Sequence, residues 1–398
     1  MTSTSITIVG GCGHVGLPLG VALAESSGHV TLLDIAAPVV ERVNAGEVPF
    51  LEPGMDEALK AVRAAGTLEA TTDPVCVSSA DVVVIVIGTP VDEHLNPDPN
   101  AVVAAIDEIA SHMRDGQLVV LRSTVYPGVT AMVERHLAGR GLNVDVAFCP
   151  ERIAEGKAME ELRALPQIIG ANTDTARLRA RELFGTLTKT LIDTTPEEAE
   201  LAKLFTNTWR YIKFATANQF LMISNDHGLD FDRVRDAITL DYPRAADMPR
   251  AGFAAGPCLF KDTMQLAAFN DNGFHIGHAA MLVNEGLPLY VVSQIERDFE
   301  LTDLTVGILG MAFKAESDDI RSSLSYKLKR ILRFKAKRVL CTDPYVTAVT
   351  DASLVPLDEV LAQADILVIG APHPEYKDLE TALPVKDVWG ITGRGVRL

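Results

Sequence analysis

Residues 5–34 of the chain read SITIVGGCGHVGLPLGVALAESSGHVTLLD. The apolar stretch Ser5 to Val9 precedes a glycine-rich turn, and Leu17 to Ala24 follow it at helical spacing. A second apolar stretch, Val30 to Leu33, ends in Asp34. Strand, glycine turn, helix, strand and acid, in that order, predict a Rossmann unit that binds a dinucleotide.

The turn places Gly11, Gly13 and Gly16 at the spacing of a dinucleotide fingerprint, with His14 and Val15 inside it. The first glycine permits a tight turn, the second lets the backbone approach the pyrophosphate, and the third lets helix and strand pack closely. Asp34 is expected to accept hydrogen bonds from the adenosine ribose and to repel a 2′-phosphate. The sequence therefore predicts NAD as cofactor, with a simple turn role for Asp34 as the alternative.

The rest of the chain repeats and extends this pattern. Further strands are predicted at Val82 to Ile87, Leu118 to Leu121 and Val144 to Phe148, and one helix from Pro196 to about Asn225. A strand pattern restarts at Thr305. We predict an α/β fold of two Rossmann-like doubly wound domains joined by a central helical region with one long helix. The boundaries are 1–194 for the NAD-binding domain, 195–300 for the helical domain and 301–398 for the second α/β domain.

Composition limits the classes of function. The 398 residues carry a net charge of −17, which disfavours nucleic-acid binding. No apolar run approaches the roughly 20 residues that span a bilayer, and no leader pattern is present, so a cytoplasmic protein is expected. The five cysteines include no CxxC pair, which argues against disulfides and a zinc knuckle, and no metal is expected.

One cysteine stands out, because a nicotinamide enzyme that moves a single hydride needs no thiol. Cys258 precedes Lys261, Asp262 and a predicted helix start, and both a cation and a helix N-terminus favour a thiolate nucleophile. The alternative is a buried small hydrophobe, the usual fate of a free cysteine. Lys203 and Asn207 share one face of the long helix, where they could stabilise an oxyanion or simply face solvent.

Other candidates follow the predicted strands, at the carboxyl edge where ligands of open sheets bind. Thr89 and Pro90 end the third strand, and Thr124 ends the fourth. Glu151 and Glu155 follow the strand at Phe148, where a carboxylate could activate a water or start a helix. Turns with no functional role remain the alternative for Thr89, Pro90 and Thr124, and an acidic helix start remains the alternative for Glu151 and Glu155.

The ordered motifs resemble the UDP-glucose/GDP-mannose dehydrogenase family over nearly the whole chain. The motifs are the glycine fingerprint, Gly88-Thr89-Pro90, Ser123 to Gly128, Cys149-Pro150-Glu151-Arg152, Ala199 to Asn207, Cys258-x-x-Lys261-Asp262, and Gly307 to Ser323. The resemblance implies a four-electron oxidation of a nucleotide sugar at C6, with two NAD⁺ and one water, to a uronic acid of the kind used in polysaccharide biosynthesis. It also implies that residues 195–300 form the dimerisation domain of a homodimer and that residues 301–398 form the nucleotide-sugar (UDP)-binding domain.

The resemblance also implies residue roles. Cys258 would form the thiohemiacetal and the thioester, Lys203 and Asn207 would stabilise oxygen charge at C6, and Asp262 with Thr124 would position water. Glu151 would act in acid/base chemistry, while Glu155 and Lys261 would line the cofactor. Substrate contacts would come from Glu151, Arg152, Lys203, Asn207, Arg244, Gly256, Lys314 and Arg321.

The sequence departs from the family pattern near the sugar. Residues 253–258 read FAAGPC where many UDP-glucose enzymes have FGGSC after a glycine, and residues 388–394 replace the usual Asp-x-Arg ending. Cys149 to Arg152 and Tyr242-Pro243-Arg244 resemble the branch that oxidises UDP-N-acetylhexosamines, whereas Ala154-Glu155-Gly156 resembles the glucose branch. A UDP-glucose 6-dehydrogenase-like activity is the main expectation, with a UDP-N-acetylhexosamine enzyme as the alternative. A two-electron hydroxyacid dehydrogenase and a non-catalytic binding protein are further alternatives.

Overall fold

The computed structural model describes residues 4–26, 28–89, 98–347, 349–393 and 398. The chain divides into two compact units, Met1–Phe205 and Thr206–Leu398. The boundaries of the three predicted domains stay a prediction. Among the described residues, no helix combines the length and the apolar character that a membrane crossing requires.

The first unit is built on an eight-stranded sheet in the order β3-β2-β1-β4-β5-β6-β7-β8. All neighbouring strands run parallel except β6 and β7. The first six strands follow the order of a doubly wound dinucleotide-binding sheet. The strands are β1 Thr4–Val9, β2 Gly28–Leu33, β3 Leu68–Thr71, β4 Val82–Ile85, β5 Leu118–Leu121, β6 Asp145–Phe148, β7 Gln167–Ala171 and β8 Leu191–Thr194.

Helices cover the sheet, which explains the sequences of its central strands. Every residue of β4 and β5 is buried, and a parallel sheet buried on both faces is expected to read as a continuous apolar run. The helices are α1 Gly16–Ser26, α2 Ala37–Asn44, α3 Met55–Ala64, α4 Asn100–Ile109, α5 Val129–Gly139, α6 Ala158–Ala164 and α7 Asp174–Phe184.

Helix α8, Pro196–Asp226, is 31 residues long, and the boundary between the units falls within it. In the second unit it is followed by α9 Phe231–Thr239, α10 Leu259–Phe269 and α11 His275–Asp298. A four-stranded parallel sheet then forms in the order β10-β9-β11-β12. Its elements are β9 Thr305–Leu309, α12 Leu324–Lys335, β10 Arg338–Thr342, α13 Leu357–Gln363, β11 Ile366–Ile369 and β12 Val385–Asp387.

The predicted fold class is confirmed, because the chain has a large parallel sheet, a second parallel sheet and a long central helix. The single helix predicted from Pro196 is present at nearly its predicted length. The antiparallel β7 was not predicted. Its sequence, QIIGA, lies fully buried beside β6 and carries no signal of strand direction.

Candidate active site

The glycine turn after β1 is fixed by its first glycine, Gly10. Gly10 adopts a left-handed conformation with φ of 74°, and a Cβ atom there would lie 2.0 Å from the carbonyl oxygen of Val86. The amides of Gly10 and Gly11 both donate to the Leu33 carbonyl, at 2.8 and 3.1 Å. The tight turn assigned to Gly11 from the sequence is therefore made one residue earlier, where only glycine fits.

The three fingerprint glycines serve different purposes. A Cβ at Gly11 would lie 2.8 Å from Leu32 Cβ, and one at Gly16 would lie 2.6 Å from the Gly10 carbonyl oxygen. A Cβ at Gly13 would meet nothing closer than 3.9 Å, and Gly13 is exposed. Gly11 and Gly16 are thus required by packing, while Gly13 leaves the room that a pyrophosphate needs. The turn fits a dinucleotide.

His14, Val15 and Asp34 frame this turn. The Val15 carbonyl accepts the Leu19 amide at 3.3 Å as α1 begins, and the His14 ring stacks on Phe50 with centroids 4.1 Å apart. The half-buried Asp34 accepts the Cys12 amide at 3.0 Å through Oδ2 and the Ala36 amide at 3.2 Å through Oδ1. Asp34 therefore holds the turn against the end of β2, the place from which an acid can reach a ribose.

The ends of β4 and β5 are joined by two hydroxyl groups. Ser123 Oγ donates to the Ile87 carbonyl and accepts the Ile87 amide, both at 2.8 Å. Thr89 Oγ1 donates to the Thr124 carbonyl at 2.7 Å. Thr89 and Thr124 thus lie together at the carboxyl edge of the sheet, as the sequence predicts. Pro90 lies outside the described residues.

Glu151 is held by a buried ion pair. One of its carboxylate oxygens accepts a hydrogen bond from Arg122 Nη2, and the other accepts the amides of Arg152 and Ile153 at 2.6 and 2.9 Å. Arg122 is 2% exposed. It also donates to the Cys149 carbonyl at 3.1 Å and lies over the Phe184 ring. Both oxygens of Glu151 are engaged in holding the loop after β6, so its proposed acid/base role needs a change in these bonds.

The neighbouring charged residues also hold this loop. Arg152 donates to the Pro166 carbonyl, and burial lowers the pKa of its guanidinium although Glu151 opposes that shift. Glu155 is half-buried in the same loop. Glu52, only 4% exposed, accepts the amides of Gly156 and Ala158, both at 2.8 Å. The loop after β6 carries predicted cofactor and substrate residues. Glu52 therefore holds this loop at its C-terminal end.

Lys203 and Asn207 lie four residues apart on α8 and are both buried. One turn before Lys203, the buried Glu200 accepts the Gly128 and Thr130 amides at 2.6 and 2.8 Å, and burial raises its pKa. Glu200 thereby fixes the start of α8 against the loop that begins at Thr124. The alternative of a solvated helix face for Lys203 and Asn207 is excluded.

Asn207 meets Asp262 in the second unit. Asn207 Nδ2 donates to Asp262 Oδ2 at 2.5 Å, and Lys261 Nζ lies 3.7 Å from Asp262 Oδ1. Asp262 has a side-chain exposure of 0%. Among the described residues, Oδ1 accepts no hydrogen bond. A buried carboxylate oxygen with a cation nearby and an unused acceptor position suits a water or a hydroxyl group.

Cys258 lies immediately before α10, one helical turn from Asp262. The Asp262 amide donates to the Cys258 carbonyl at 2.8 Å, which places the thiol at the helix N-terminus. All five cysteines lie in the described part of the chain, and only Cys258 is exposed. Burial raises the pKa of Cys12 and of Cys149 to about 12 and that of Cys341 to about 11. Burial as a small hydrophobe is therefore excluded for Cys258.

The remaining predicted substrate residues also lie in the second unit. Gly256, with φ of 97°, packs so closely on Phe313 that a Cβ would lie 2.7 Å from its ring. Lys314 lies over the same ring at 5.9 Å. Arg321 is held by Asp319 through Nε and Nη2, yet its side chain stays 54% exposed. Arg244 is exposed and donates to Tyr242 Oη at 2.8 Å.

Comparison with known proteins identifies the family. Residues 4–188 match the NAD binding domain of the UDP-glucose/GDP-mannose dehydrogenase family, residues 197–285 its central domain, and residues 307–394 its UDP binding domain. The chain belongs to this family. The resemblance seen in the sequence is thus confirmed, and NAD is the cofactor that the family's first domain binds.

Three relatives of the UDP-glucose/GDP-mannose dehydrogenase family illustrate the similarity. A UDP-N-acetyl-D-mannosamine dehydrogenase from Pyrococcus horikoshii is 30% identical over 97% of this chain and 92% of that protein. An NDP-N-acetyl-D-galactosaminuronic acid dehydrogenase from Ralstonia nicotianae is 28% identical over 95% of this chain and 92% of that protein. The structure of a UDP-glucose dehydrogenase from Pyrobaculum islandicum superposes with a TM-score of 0.91 at 29% identity, over 99% and 98% of the two chains.

Sequence reasoning missed residues that hold this dehydrogenase site rather than line it. Arg122, Glu52 and Glu200 are buried charges on or beside the loops that carry the predicted residues. Buried charges are rare and need partners. Arg122 ends the apolar run of β5, and that position was the one signal that could have marked it.

Proposed function

We propose that this dehydrogenase oxidises C6 of a nucleotide-linked N-acetylhexosamine to the carboxylate, in a four-electron reaction that passes through a thioester on Cys258. The observation that carries the proposal is the exposed thiol of Cys258 at the N-terminus of α10, one turn from the buried pair of Asn207 and Asp262. A family member that released an aldehyde would need no such thiol.

The proposed chemistry balances as follows. The C6 hydroxymethyl group first loses a hydride and a proton and becomes an aldehyde. The Cys258 thiolate adds to the aldehyde carbon, and the oxygen takes a proton to give a thiohemiacetal. Loss of a second hydride and of the hydroxyl proton gives the thioester, which water cleaves to the acid and the free thiol. When bound, NAD⁺ supplies the hydride acceptor for both oxidations.

Within this proposal the buried polar groups act on the oxygen at C6. The ammonium of Lys203 and the amide of Asn207 stabilise negative charge on that oxygen. Asp262 orients the Asn207 amide through the 2.5 Å hydrogen bond, and its Oδ1 can accept a hydrogen bond from the attacking water. The resemblance to the family supports a role in water positioning for Thr124 and in acid/base chemistry for Glu151, and the latter needs a loosened bond to Arg122.

The choice of an amino sugar rests on two lines of support. The motifs Cys149-Pro150-Glu151-Arg152 and Tyr242-Pro243-Arg244 resemble the N-acetylhexosamine branch. Relatives that cover nearly the whole chain are named UDP-N-acetyl-D-mannosamine dehydrogenases. Both lines favour a UDP-N-acetylhexosamine over UDP-glucose as the substrate.

The nucleotide end of the substrate is proposed to meet the cations of the second unit. The Arg321 side chain is 54% exposed beside its bond to Asp319, and Lys314 belongs to the same loop after β9. Such local cations can bind a diphosphate despite the net charge of −17. Arg152 and Arg244 are proposed to contact the substrate, and Glu155 and Lys261 the cofactor.

We also propose a homodimer that forms through the central helices. Four large apolar side chains are exposed on α8, namely Phe205, Trp209, Phe220 and Ile223, and three are exposed on α11, namely Ile276, Leu282 and Leu289. Contiguous exposed apolar surface marks protein interfaces, and the resemblance to the family implies that these helices form one. Multi-angle light scattering should give twice the 42.9 kDa chain mass, and a monomer at micromolar concentration would refute the dimer.

The test of the main proposal is NADH release over UDP-N-acetylmannosamine, UDP-N-acetylglucosamine, UDP-glucose and GDP-mannose. The expected result is about two NADH per sugar with UDP-N-acetylmannosamine and no acid from the Cys258→Ala variant. Cys76→Ala is the matched control, because Cys76 lies outside the proposed site. One NADH per sugar, or acid formation by Cys258→Ala, would refute the thioester route.

A further inference from the structure

The loop that leads to Cys258, residues 252–257, is largely buried although it has no regular secondary structure. Buried irregular backbone needs hydrogen-bond partners. The fully buried Asn218 of α8 supplies them, since its Oδ1 accepts the Gly252 amide at 2.8 Å and its Nδ2 donates to the Gly252 carbonyl at 3.0 Å. Phe253 and Ala254 are buried as well. The loop is therefore held in one conformation at its start.

The second support of this loop is Trp389, which follows β12. A Cβ at Gly252 would lie 2.1 Å from Trp389 Cε3, so the indole lies directly against the glycine. The rings of Phe253 and Trp389 meet edge to face, with centroids 6.2 Å apart and an interplanar angle of 78°. The loop residues and Trp389 all belong to the second unit.

Trp389 is itself fixed by bonds that do not involve the loop. Its indole Nε1 donates to the Gly370 carbonyl at 3.1 Å, just after β11. The buried Asp387 accepts the amides of Trp389 and Gly390 at 3.0 and 2.8 Å. Residues at the ends of strands of the second sheet thus hold the indole in place, and the loop packs against it.

We propose that Trp389 is a positioning residue that sets the path of the 252–257 loop and thereby the place of the Cys258 sulfur relative to the sugar. Trp389 belongs to one of the two segments that depart from the family pattern, and it contacts Gly252 and Phe253, which directly precede the other, Ala254 to Pro257. This inference rests on the proposed function for its catalytic consequence, but the contact itself can be tested without any activity.

The experiment uses the full chain with Trp389→Ala and Trp389→Phe, and with Phe334→Ala as control. Phe334 is a highly exposed aromatic residue of α12 in the same unit. Hydrogen exchange of the peptide that contains Gly252 is measured by mass spectrometry, together with kcat, KM and the NAD dissociation constant. Trp389→Phe retains a ring and carries the test alone if the alanine variant does not fold.

The expected result for Trp389→Ala is a rise of at least about tenfold in exchange, confined to the loop peptide. We expect kcat to fall by about 10- to 100-fold, because small misplacements of reacting groups lower the rate by such factors. The NAD affinity should be unchanged. Trp389→Phe should lie between wild type and Trp389→Ala, and Phe334→Ala should match wild type. If Trp389 only fills the core, its replacement should lower the melting temperature and leave kcat unchanged.

Two outcomes overturn the inference: unchanged exchange of the loop peptide in both Trp389 variants, or faster exchange with an unchanged kcat. If the wild-type protein oxidises no nucleotide sugar, the proposed function fails. The positioning contact is then decided by hydrogen exchange alone.

Discussion

Replacing Asp343 with asparagine tests how the second sheet holds its glycine turn. Asp343 follows β10 and has a side-chain exposure of 0%. Its Oδ2 accepts the amides of Met311 and Ala312, at 2.6 and 2.9 Å, and its Oδ1 accepts those of Tyr345 and Val346, at 2.8 and 3.0 Å. His373 Nε2 lies 3.1 Å from Oδ2, while His373 Nδ1 accepts the Glu316 amide, so Nε2 carries the proton and donates.

The size of the effect follows from the pKa of this carboxyl. Burial alone would raise it, but the hydrogen bonds from His373 and from the backbone amides hold the pKa of Asp343 at about 2, against an ordinary value of 3.8. Between these values the folded state binds fewer protons than the unfolded state, so the stabilisation is present above pH 3.8 and is lost as the pH falls towards 2. The shift corresponds to about 2 kcal/mol at pH 7, of which about half remains at pH 3.

The assay is urea unfolding followed by tryptophan fluorescence at pH 7 and at pH 3. The chain has two tryptophans, Trp209 and Trp389, and both belong to the second unit, so the signal reports the unit that contains Asp343. Asp343→Asn should lower the free energy of unfolding by at least about 2 kcal/mol at pH 7 and by about 1 kcal/mol less at pH 3. Asp378→Asn, an exposed carboxyl of the same unit, is the control. An equal loss at both pH values, or a loss below about 0.5 kcal/mol at pH 7, would refute this account of Asp343.

Three further predictions concern the first unit and the thiol. Gly13→Ala should melt like wild type yet bind NAD at least about tenfold more weakly by calorimetry, whereas Gly10→Ala should be destabilised by more than about 1 kcal/mol; wild-type NAD affinity in Gly13→Ala would contradict the role of that glycine. Arg122→Ala should lose about 3–5 kcal/mol in denaturant unfolding, because it leaves the Glu151 carboxylate buried without its cation, and a loss below about 1 kcal/mol would show that the pair is dispensable. Iodoacetamide should modify Cys258 before any other cysteine of the native protein, as judged by peptide mapping, and earlier labelling elsewhere would argue against the exposure of this thiol.

The parts of the fold that local sequence specifies were predicted well. The continuous apolar runs of β4 and β5 and the helical stretch from Pro196 depend on burial and spacing, which the sequence displays directly. The direction of β7 depends on which neighbour it pairs with, and that is decided by the path of the whole chain. No periodicity of residues 167–171 could have revealed it.

The candidate site also has features that the sequence predicts and features that depend on the folded chain. Cys258 was marked as a candidate nucleophile by its place before a cation and a predicted helix start, whereas the candidate roles of Asn207 and Asp262 came from the resemblance to the family. The burial of Asp262 and the 2.5 Å contact between it and Asn207 were not visible, since their elements meet only in the folded second unit. Arg122, Glu52 and Glu200 were missed for the same reason, because a charged residue looks solvent-exposed until its buried partner is known.

In both sheets an aspartate holds a glycine turn that follows the first strand, but the two aspartates differ in their hydrogen bonds. Each first strand ends in a left-handed glycine, Gly10 or Gly310, and in each an aspartate after the next strand accepts amides of the turn. Asp34 accepts two amides, which leaves lone pairs on its oxygens for a ribose. The Asp343 carboxylate accepts hydrogen bonds from four amides and from the His373 imidazole, so no acceptor position remains for a ligand. The same turn can therefore recognise a dinucleotide in the first sheet, whereas in the second any nucleotide must be bound by other groups, of which Lys314 and Arg321 are the proposed cations.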